Sequence, residues 1–343
     1  MKKAQGRRID LKKYAPRFAL LSVLLFIAPC AFAQNAVDGT AISADAELQT
    51  ESRAKLELPA YLGAEGDDVV TNRKLRAQTG SLSKWSVSTS FGYNGGSIDE
   101  PIGSQRPNIS EANASSTALQ TLSGGTGIRY RLNKASSLLA NVGVNAYAPF
   151  QSTYHSTNVR QQQNFDQLHG TVTLSDPSLA YARVFNAFGA QNYVSVSQTV
   201  TTDPGLRRSG WLTNTAFGHT LAYEIGTSKA TAILFYGFNY GFFDRSSPEI
   251  AAGQTEYAFG FSPSLEYAIN DTFNMSLSVS QNYEHTRDRS AASSLKTDMI
   301  TSTFGIGIAV ARDIFLFPNI QFIPDDIRAE RTNVGLATNI NLF

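Results

Sequence analysis

Large side chains alternate with small or polar side chains along most of the chain after Trp85. Between Trp85 and Tyr93 the large residues are separated by serine and glycine, and the same period of two recurs over 257–269 and 273–280. Successive side chains of a β-strand point to opposite faces of a sheet. The pattern therefore predicts strands with one large apolar face and one small polar face.

The predicted strands are long, and short and long connections alternate between them. Runs such as 118–132 and 209–226 exceed the five or six residues usual in soluble strands. A strand that crosses a bilayer needs about nine to eleven residues. Tight turns are predicted near Asn133, Thr227, Asn270 and Arg312. Long polar connections are predicted at 95–117, 150–166, 244–254, 285–294 and 324–331.

The number of strands depends on the role of Asp176-Pro177. If these residues form a turn, the total is odd and a long connection falls among the short turns. If they form a bulge within one strand, which proline tolerates, short and long connections alternate throughout. The second interpretation predicts twelve antiparallel strands: 84–94, 118–132, 136–149, 167–184, 190–202, 209–226, 229–243, 255–269, 272–284, 295–311, 314–323 and 332–343.

The first 33 residues have the pattern of a secretory signal peptide. Basic residues up to Arg17 precede an apolar run over 18–32, which ends at an A-x-A cleavage site, Ala31-Phe32-Ala33. This order is typical of exported proteins, and the run is short for a spanning helix. Residues 34–83 are polar and nearly free of aromatic residues. That composition favours a periplasmic lead-in; a plug folded into a lumen is the alternative.

Charge and cysteine content exclude several classes of function. Residues 1–33 carry seven basic residues and one acidic residue, so their removal changes the net charge of the chain from +1 to −5. The mature chain therefore lacks the basic surface of a nucleic-acid-binding protein. The only cysteine, Cys30, lies in the removed segment. No disulfide framework, cysteine metal site or cofactor is predicted.

The signal peptide, the alternating strands and the last residue together resemble the outer-membrane β-barrel proteins of Gram-negative bacteria, including porin-like members. The resemblance covers residues 84–343, and the last strand ends in Phe343, as does the assembly signal of that class. The apolar positions Val334, Leu336, Ile340 and Leu342 are offset by one from Phe343. The resemblance implies location in the cell outer membrane. It also implies contact with outer-membrane lipids and lipopolysaccharide, and insertion by the barrel-assembly machinery.

Charged residues on the predicted strands are the candidate pore-lining groups. They are Arg129 and Arg131 on the second strand, Asp176 and Arg183 on the fourth, Glu224 on the sixth and Glu266 on the eighth. Rings of charge select ions in channels. The alternative is an ion-paired network that braces the lumen, which the similar number of residues of each sign favours. Inward glycines, such as Gly305 and Gly307, either leave the lumen open or relieve crowding in a narrow barrel.

Three functions are compatible with this barrel. The polar inward face favours a porin-like channel for small polar solutes or ions. A structural or adhesion barrel, with its function in loops 95–117 and 150–166, is the second. The third is a lipid-modifying enzyme, because His219 has outward parity. Such sites pair a histidine with a nucleophile such as serine. No outward serine pairs with His219, so the sequence does not predict an enzyme.

Overall fold

The computed structural model describes residues 75, 79, 83–103, 106, 119–150, 166–244, 255–270, 272–286, 295–297, 299–311 and 314–342. The predicted signal peptide, 1–33, lies outside these residues. The strands are β1 (Trp85–Ser97), β2 (Thr121–Asn133), β3 (Ser136–Tyr147), β4 (Val172–Leu174), β5 (Ser178–Ala187), β6 (Ala190–Val200), β7 (Trp211–Glu224), β8 (Ala230–Phe243), β9 (Thr255–Ala268), β10 (Phe273–Thr286), β11 (Lys296–Thr297), β12 (Thr301–Ala311), β13 (Ile314–Phe322) and β14 (Asn333–Leu342). A short helix, α1 (Pro204–Arg208), precedes β7, and a 3-10 turn, Ala329–Arg331, precedes β14. None of the described helices is long and apolar enough to cross a bilayer.

The strands form one antiparallel sheet that closes on itself. Neighbours in the chain are neighbours in the sheet, and β14 returns to pair with β1 from Val87↔Leu342 to Ser97↔Asn333. β4 and β5 share one position beside β3, and β11 and β12 share one position beside β10. The fourteen segments of the sheet therefore make a barrel of twelve strands, which confirms the predicted fold.

A bulge joins β4 to β5 at Ser175–Pro177. Between the pairs Val144↔Leu174 and Asn141↔Ser178, three steps along β3 face four steps along the other strand. One residue is therefore extra, and Pro177, which has no N–H to donate, lies where the ladder is interrupted. The bulge and the even strand number are both confirmed. The same mismatch joins β11 to β12, between the pairs Tyr283↔Thr297 and Ser280↔Thr301.

Short turns lie at one rim of the barrel and long connections at the other. Turns of two to five residues join β2–β3, β5–β6, β7–β8, β9–β10 and β12–β13. We call this rim the short-turn end and the opposite rim the loop end. The β5–β6 turn has positive φ at Phe188 (55°) and Gly189 (73°), which is the type I′ geometry that matches strand twist. In bacterial outer-membrane barrels the short turns face the periplasm.

The barrel is apolar outside and polar inside. On β10, Leu277 is 45% exposed, whereas its neighbours Ser276 and Ser278 point inward and are buried. Leu277 pairs with Leu265 and Phe304 on the adjacent strands, so apolar side chains form continuous outer rows. A soluble sandwich would bury this face against a second sheet. Here the described strands expose it.

Candidate functional site

The middle of the inner face carries half-buried hydroxyl and amide side chains. They are Ser88 and Ser90 on β1, Ser123 on β2, Asn141 on β3, Ser195 and Ser197 on β6, Ser262 and Ser264 on β9, Ser280 on β10, Thr303 on β12, Asn319 on β13 and Asn339 on β14. The hydroxyl oxygens of Ser262 and Ser280 are 3.5 Å apart. Hydroxyl and amide groups both donate and accept hydrogen bonds. The middle of the lumen is therefore a neutral polar surface.

A ring of inward residues at the short-turn end is shielded from water. No member is more than 6% exposed, and Asn274 is fully buried. The members, which we call the short-turn ring, are Ser86, Arg129, Tyr193, Ala222, Thr231, Glu266, Asn274, Phe315 and Asn341. Side chains that face a water-filled passage stay partly exposed, as those in the middle of this lumen do. The lumen is therefore filled at its short-turn end.

Leu75 packs on an apolar patch of the inner wall at that end. The patch, which we call the Leu75 patch, consists of Ala182, Val184, Tyr193, Ala222 and Ile233 on strands β5 to β8. Leu75 is 1% exposed. It belongs to the segment 34–83, predicted to be a periplasmic lead-in, of which Leu75, Thr79 and Ser83 are described. At least this residue of the segment lies inside the barrel.

The loop end of the lumen is also shielded. Inward asparagines on opposite walls, Asn145, Asn214, Asn239 and Asn333, are each at most 5% exposed. Arg106, from the β1–β2 connection, reaches the inner wall, where its Nη2 donates to Gln321 Oε1 over 3.0 Å. Burial lowers the pKa of Arg106 to about 10, so the side chain stays protonated at neutral pH. Sequence analysis missed this residue because a polar connection between strands carries no periodic signal.

Four of the six predicted pore-lining residues have inward register. Arg129 and Glu266 belong to the short-turn ring and are 5% and 2% exposed. Arg131 pairs with Ser137 and is half-buried, whereas Glu224 pairs with Thr231 and is exposed at the rim. Arg131 and Glu224 are therefore accessible at the rim, whereas Arg129 and Glu266 are shielded from water.

The structure places Arg183 and Asp176 away from the lumen, which corrects their assignment as pore-lining residues. Arg183 pairs with Val194 on the outer face and is exposed. Asp176 Oδ1 accepts hydrogen bonds from Thr202 N and Oγ1, both 2.6 Å, and from Asp203 N at 3.3 Å. Asp176 thus holds the β6–β7 connection at the loop end. The bulge is the physical reason, since one extra residue inverts the faces of the side chains beyond it.

Aromatic side chains form a belt at each end of the outer face. At the short-turn end Trp85 and Tyr130 lie with ring centroids 4.6 Å apart, and Tyr223 and Tyr267 are 52% and 51% exposed. At the loop end Tyr240 and Phe242 lie with ring centroids 5.1 Å apart, and Phe242 is 44% exposed. The apolar outer rows that include Leu277 lie between the belts, which is how a barrel meets the two interfaces of a bilayer. The chain is a twelve-stranded β-barrel with an apolar outer surface.

Comparisons with known proteins find solved structures of low overall similarity to this chain. No protein-family model matches the sequence, and no curated protein matches it. Among solved structures, an outer-membrane channel from Pseudomonas putida F1 has a TM-score of 0.49 and 10% identity, covering 77% of this chain and 97% of that one. The NanC porin has a TM-score of 0.39 and 8% identity, covering 75% of this chain and 98% of its own. Salmonella typhi OmpF has a TM-score of 0.33 and 8% identity, covering 75% and 96%. The likeness concerns the barrel alone.

His219 lies on the outer face of the barrel with both ring nitrogens hydrogen-bonded. Nδ1 is 2.7 Å from Tyr236 Oη, and Nε2 is 3.0 Å from Asn192 Oδ1. Asn192 Nδ2 donates to the Ala190 carbonyl, which turns Oδ1 toward the ring. Nε2 therefore donates to Asn192 and Nδ1 accepts from Tyr236. The outward position of His219 agrees with the prediction. Side chains of the barrel wall, Tyr236 and Asn192, hydrogen-bond its two ring nitrogens, so neither nitrogen is hydrogen-bonded to a serine.

An ion-paired cluster orders the β13–β14 connection at the loop end. Arg328 donates to Asp326 over 2.6 and 3.0 Å and to Glu330 over 3.0 Å, and Arg331 lies 2.8 Å from Asp326. The hydrogen bonds from Arg328 lower the pKa of Asp326 below its usual value. When folding lowers the pKa of a carboxyl, the ionised group stabilises the folded state, and this stabilisation is fully present above the unfolded pKa of about 3.9. It is lost as the pH falls through the lower, folded pKa.

We therefore expect residues 323–332 to lose order below about pH 4. Hydrogen exchange of these amides, measured from pH 7 down to pH 2, should accelerate beyond its intrinsic pH dependence as Asp326 is protonated. In Asp326→Asn the same amides should exchange fast at every pH, and the additional acceleration at acid pH should be absent. Asp325→Asn is the matched control, because Asp325 has no place in this set of ion pairs. An acid step that persists in Asp326→Asn would contradict the assignment.

Proposed function

We propose that this outer-membrane barrel conducts small polar solutes or ions through its lumen. The observation that supports the proposal is the half-buried hydroxyl and amide surface in the middle of the lumen. Such a surface replaces the hydrogen bonds that a polar solute loses when it leaves water. Channels with this fold carry selectivity in the residues that line the pore. A barrel with only a structural role has no need of a hydrated middle section.

The position of the charges favours small neutral solutes over ions. Serine, threonine, asparagine and glycine dominate the middle of the inner face, and the charged residues lie toward its ends: Arg129, Arg131, Glu224 and Glu266 at the short-turn end, Arg106 and Glu284 at the loop end. Both signs occur at each end. Opposed charges at a mouth give little net field, so they attract neither sign of ion strongly over the other.

The direct test is single-channel conductance of the folded protein in a planar bilayer. We expect small steps with weak preference for either sign of ion, and faster swelling of proteoliposomes in neutral sugars than in salts of the same size. A folded barrel that passes nothing with its lumen unobstructed would overturn the proposal. It would favour the structural or adhesion role, which places the function in the loops.

Single charge changes at the rim should alter ion preference. Arg131→Gln removes a positive charge that a permeating ion passes, so we expect a shift toward cations. Glu224→Gln should shift the preference toward anions, because fixed charge sets the local counter-ion concentration. The reversal potential under a salt gradient measures both. Arg183→Gln is the matched control, since Arg183 lies near the same rim on the outer face. A reversal potential that moves as much in the control would refute the lining assignment.

A further inference from the structure

Two aromatic side chains lie inside the barrel at the loop end of β7 and β8. Phe242 is 44% exposed on the outer face, so the next residue, Phe243, points into the lumen. Trp211 pairs with Phe243 across the two strands, and their ring centroids are 4.9 Å apart with an interplanar angle of 60°. Both residues are half-buried. We call this pair of rings the aromatic corner.

Two inward asparagines lie next to the aromatic corner. Asn214 pairs with Gly241, and Asn239 is the next inward residue of β8 toward the middle of the barrel. The Phe243 ring lies over Gly241, because a Cβ added there would be 2.9 Å from Cε2 of that ring. The absent side chain of Gly241 therefore lets the aromatic corner extend toward the two amides.

The Asn239 side chain carries a hydrogen-bond donor that is not used. Its Nδ2 has no acceptor in the part of the chain that the structure describes. The residue is 3% exposed, so this donor is also shielded from water. A buried donor without a partner costs free energy, and an apolar side chain of similar shape would avoid that cost. The amide therefore favours a ligand that brings its own hydrogen-bond acceptor.

We propose that Trp211, Asn214, Asn239 and Phe243 form a binding site for a neutral carbohydrate in the lumen. A sugar ring presents C–H groups on its faces and hydroxyls at its edge. The electron-rich faces of aromatic rings attract the C–H groups, and asparagine amides donate to and accept from hydroxyls. All four side chains are uncharged, which suits a neutral ligand. The site names the solute class of the proposed channel, and it rests on that function only for its role in transport.

The fluorescence of Trp211 tests the site without a measurement of transport. The chain has two tryptophans, and Trp85 lies on the outer face at the short-turn end, so Trp85→Phe leaves Trp211 as the reporter. The folded protein in detergent is titrated with cellobiose, a neutral disaccharide, and with mannitol, an acyclic polyol. We expect cellobiose to change the emission saturably, because a sugar ring stacks on the indole. Mannitol has no ring face and should give no saturable change.

Asn239→Ala, in the same background, should weaken cellobiose binding roughly tenfold, the effect of losing about one hydrogen bond. It should not lower the stability of the barrel, because it removes a donor that has no partner. Asn145→Ala is the matched control: Asn145 is also inward at the loop end, but its Nδ2 already donates to Ser175 Oγ over 3.1 Å. This control should bind cellobiose as before and unfold more readily in urea. Gel-shift assays show whether each variant is folded.

An emission that does not saturate with cellobiose, or an affinity unchanged by Asn239→Ala, would overturn the site. Saturation by benzyl alcohol, a neutral aromatic probe, without saturation by cellobiose would overturn the carbohydrate assignment. Conductance of the same protein separates this inference from the proposed channel. Cellobiose binding that depends on Asn239, in a barrel that conducts nothing, would retain the site and remove the channel. Conductance without any response of Trp211 to cellobiose would do the reverse.

Discussion

Leu277→Arg is expected to destabilise the assembled barrel by about 2–4 kcal/mol, the cost of arginine at mid-bilayer on a lipid-facing strand. Leu277 lies in the middle of β10, is 45% exposed, and pairs with Leu265 and Phe304 in the apolar outer rows. A guanidinium there leaves water without gaining an ion pair. Urea titration of the protein in lipid vesicles measures the loss, and the heat-modifiable gel shift measures the fraction assembled in cells.

Ser280→Arg is the matched control on the same strand. Ser280 points inward, is half-buried, and faces the hydroxyl of Ser262 across the strand pair. An arginine there enters the hydrated middle of the lumen, so assembly should be close to normal and conductance lower. If the inward variant failed to assemble while Leu277→Arg assembled normally, the faces assigned to β10 would be inverted.

Gly305→Val is expected to destabilise the barrel by about 1–3 kcal/mol or more, through overpacking inside the lumen. A Cβ at Gly305 would lie 2.5 Å from Cζ of Phe317 and 2.8 Å from Cβ of Asn319. Phe317 is only 2% exposed, so its ring has little room to move. This glycine does not leave the lumen open. Its missing side chain makes space for the Phe317 ring. At this position an inward glycine therefore relieves crowding inside the barrel. Thermal or urea unfolding measures the effect.

A double-mutant cycle isolates this contact. Phe317→Ala alone should cost about 3–5 kcal/mol, as is usual for a buried phenylalanine. Once the Phe317 ring is absent, the valine side chain at position 305 has space. The double variant should therefore lose much less free energy of unfolding than the sum of the two single losses. Gly92→Ala is the mild control, because its Cβ meets the Ser123 hydroxyl at 3.0 Å. Strictly additive losses would mean that the Phe317 ring does not occupy this space.

The fold was predictable because the period of two persists over most strands. The predicted bounds 272–284 and 314–323 lie within two residues of the observed Phe273–Thr286 and Ile314–Phe322. Proline chemistry also predicted the bulge at Asp176-Pro177, and the outward position of His219 followed from parity. The face of Arg183 could not be predicted in this way. A bulge shifts the alternation of faces by one residue, and the sequence does not show which residue is the extra one.

The site was less predictable because its decisive contacts join distant parts of the chain. Leu75 is one leucine in a polar segment, and nothing in its neighbourhood marks the Leu75 patch more than a hundred residues away. Arg106 likewise comes from a polar connection and reaches Gln321. Inward parity identified Arg129, Arg131, Glu224 and Glu266. Their different exposures depend on what fills each end of the lumen, which alternation does not encode.

The two bulges also determine where homologous chains can differ in length. Deleting one residue from a regular strand would exchange lipid-facing and lumen-facing positions for the rest of that strand, as a slip of one residue does. At Ser175–Pro177, and between Thr297 and Thr301, one residue is already in excess of the partner strand. A deletion there would restore regular pairing and affect only the short segments β4 and β11. Single-residue gaps in alignments of this barrel are therefore expected at these two points, at the bulges near strand ends such as Asn94–Ser97, and in the connections. The regularly paired interiors of the strands are expected to keep their length.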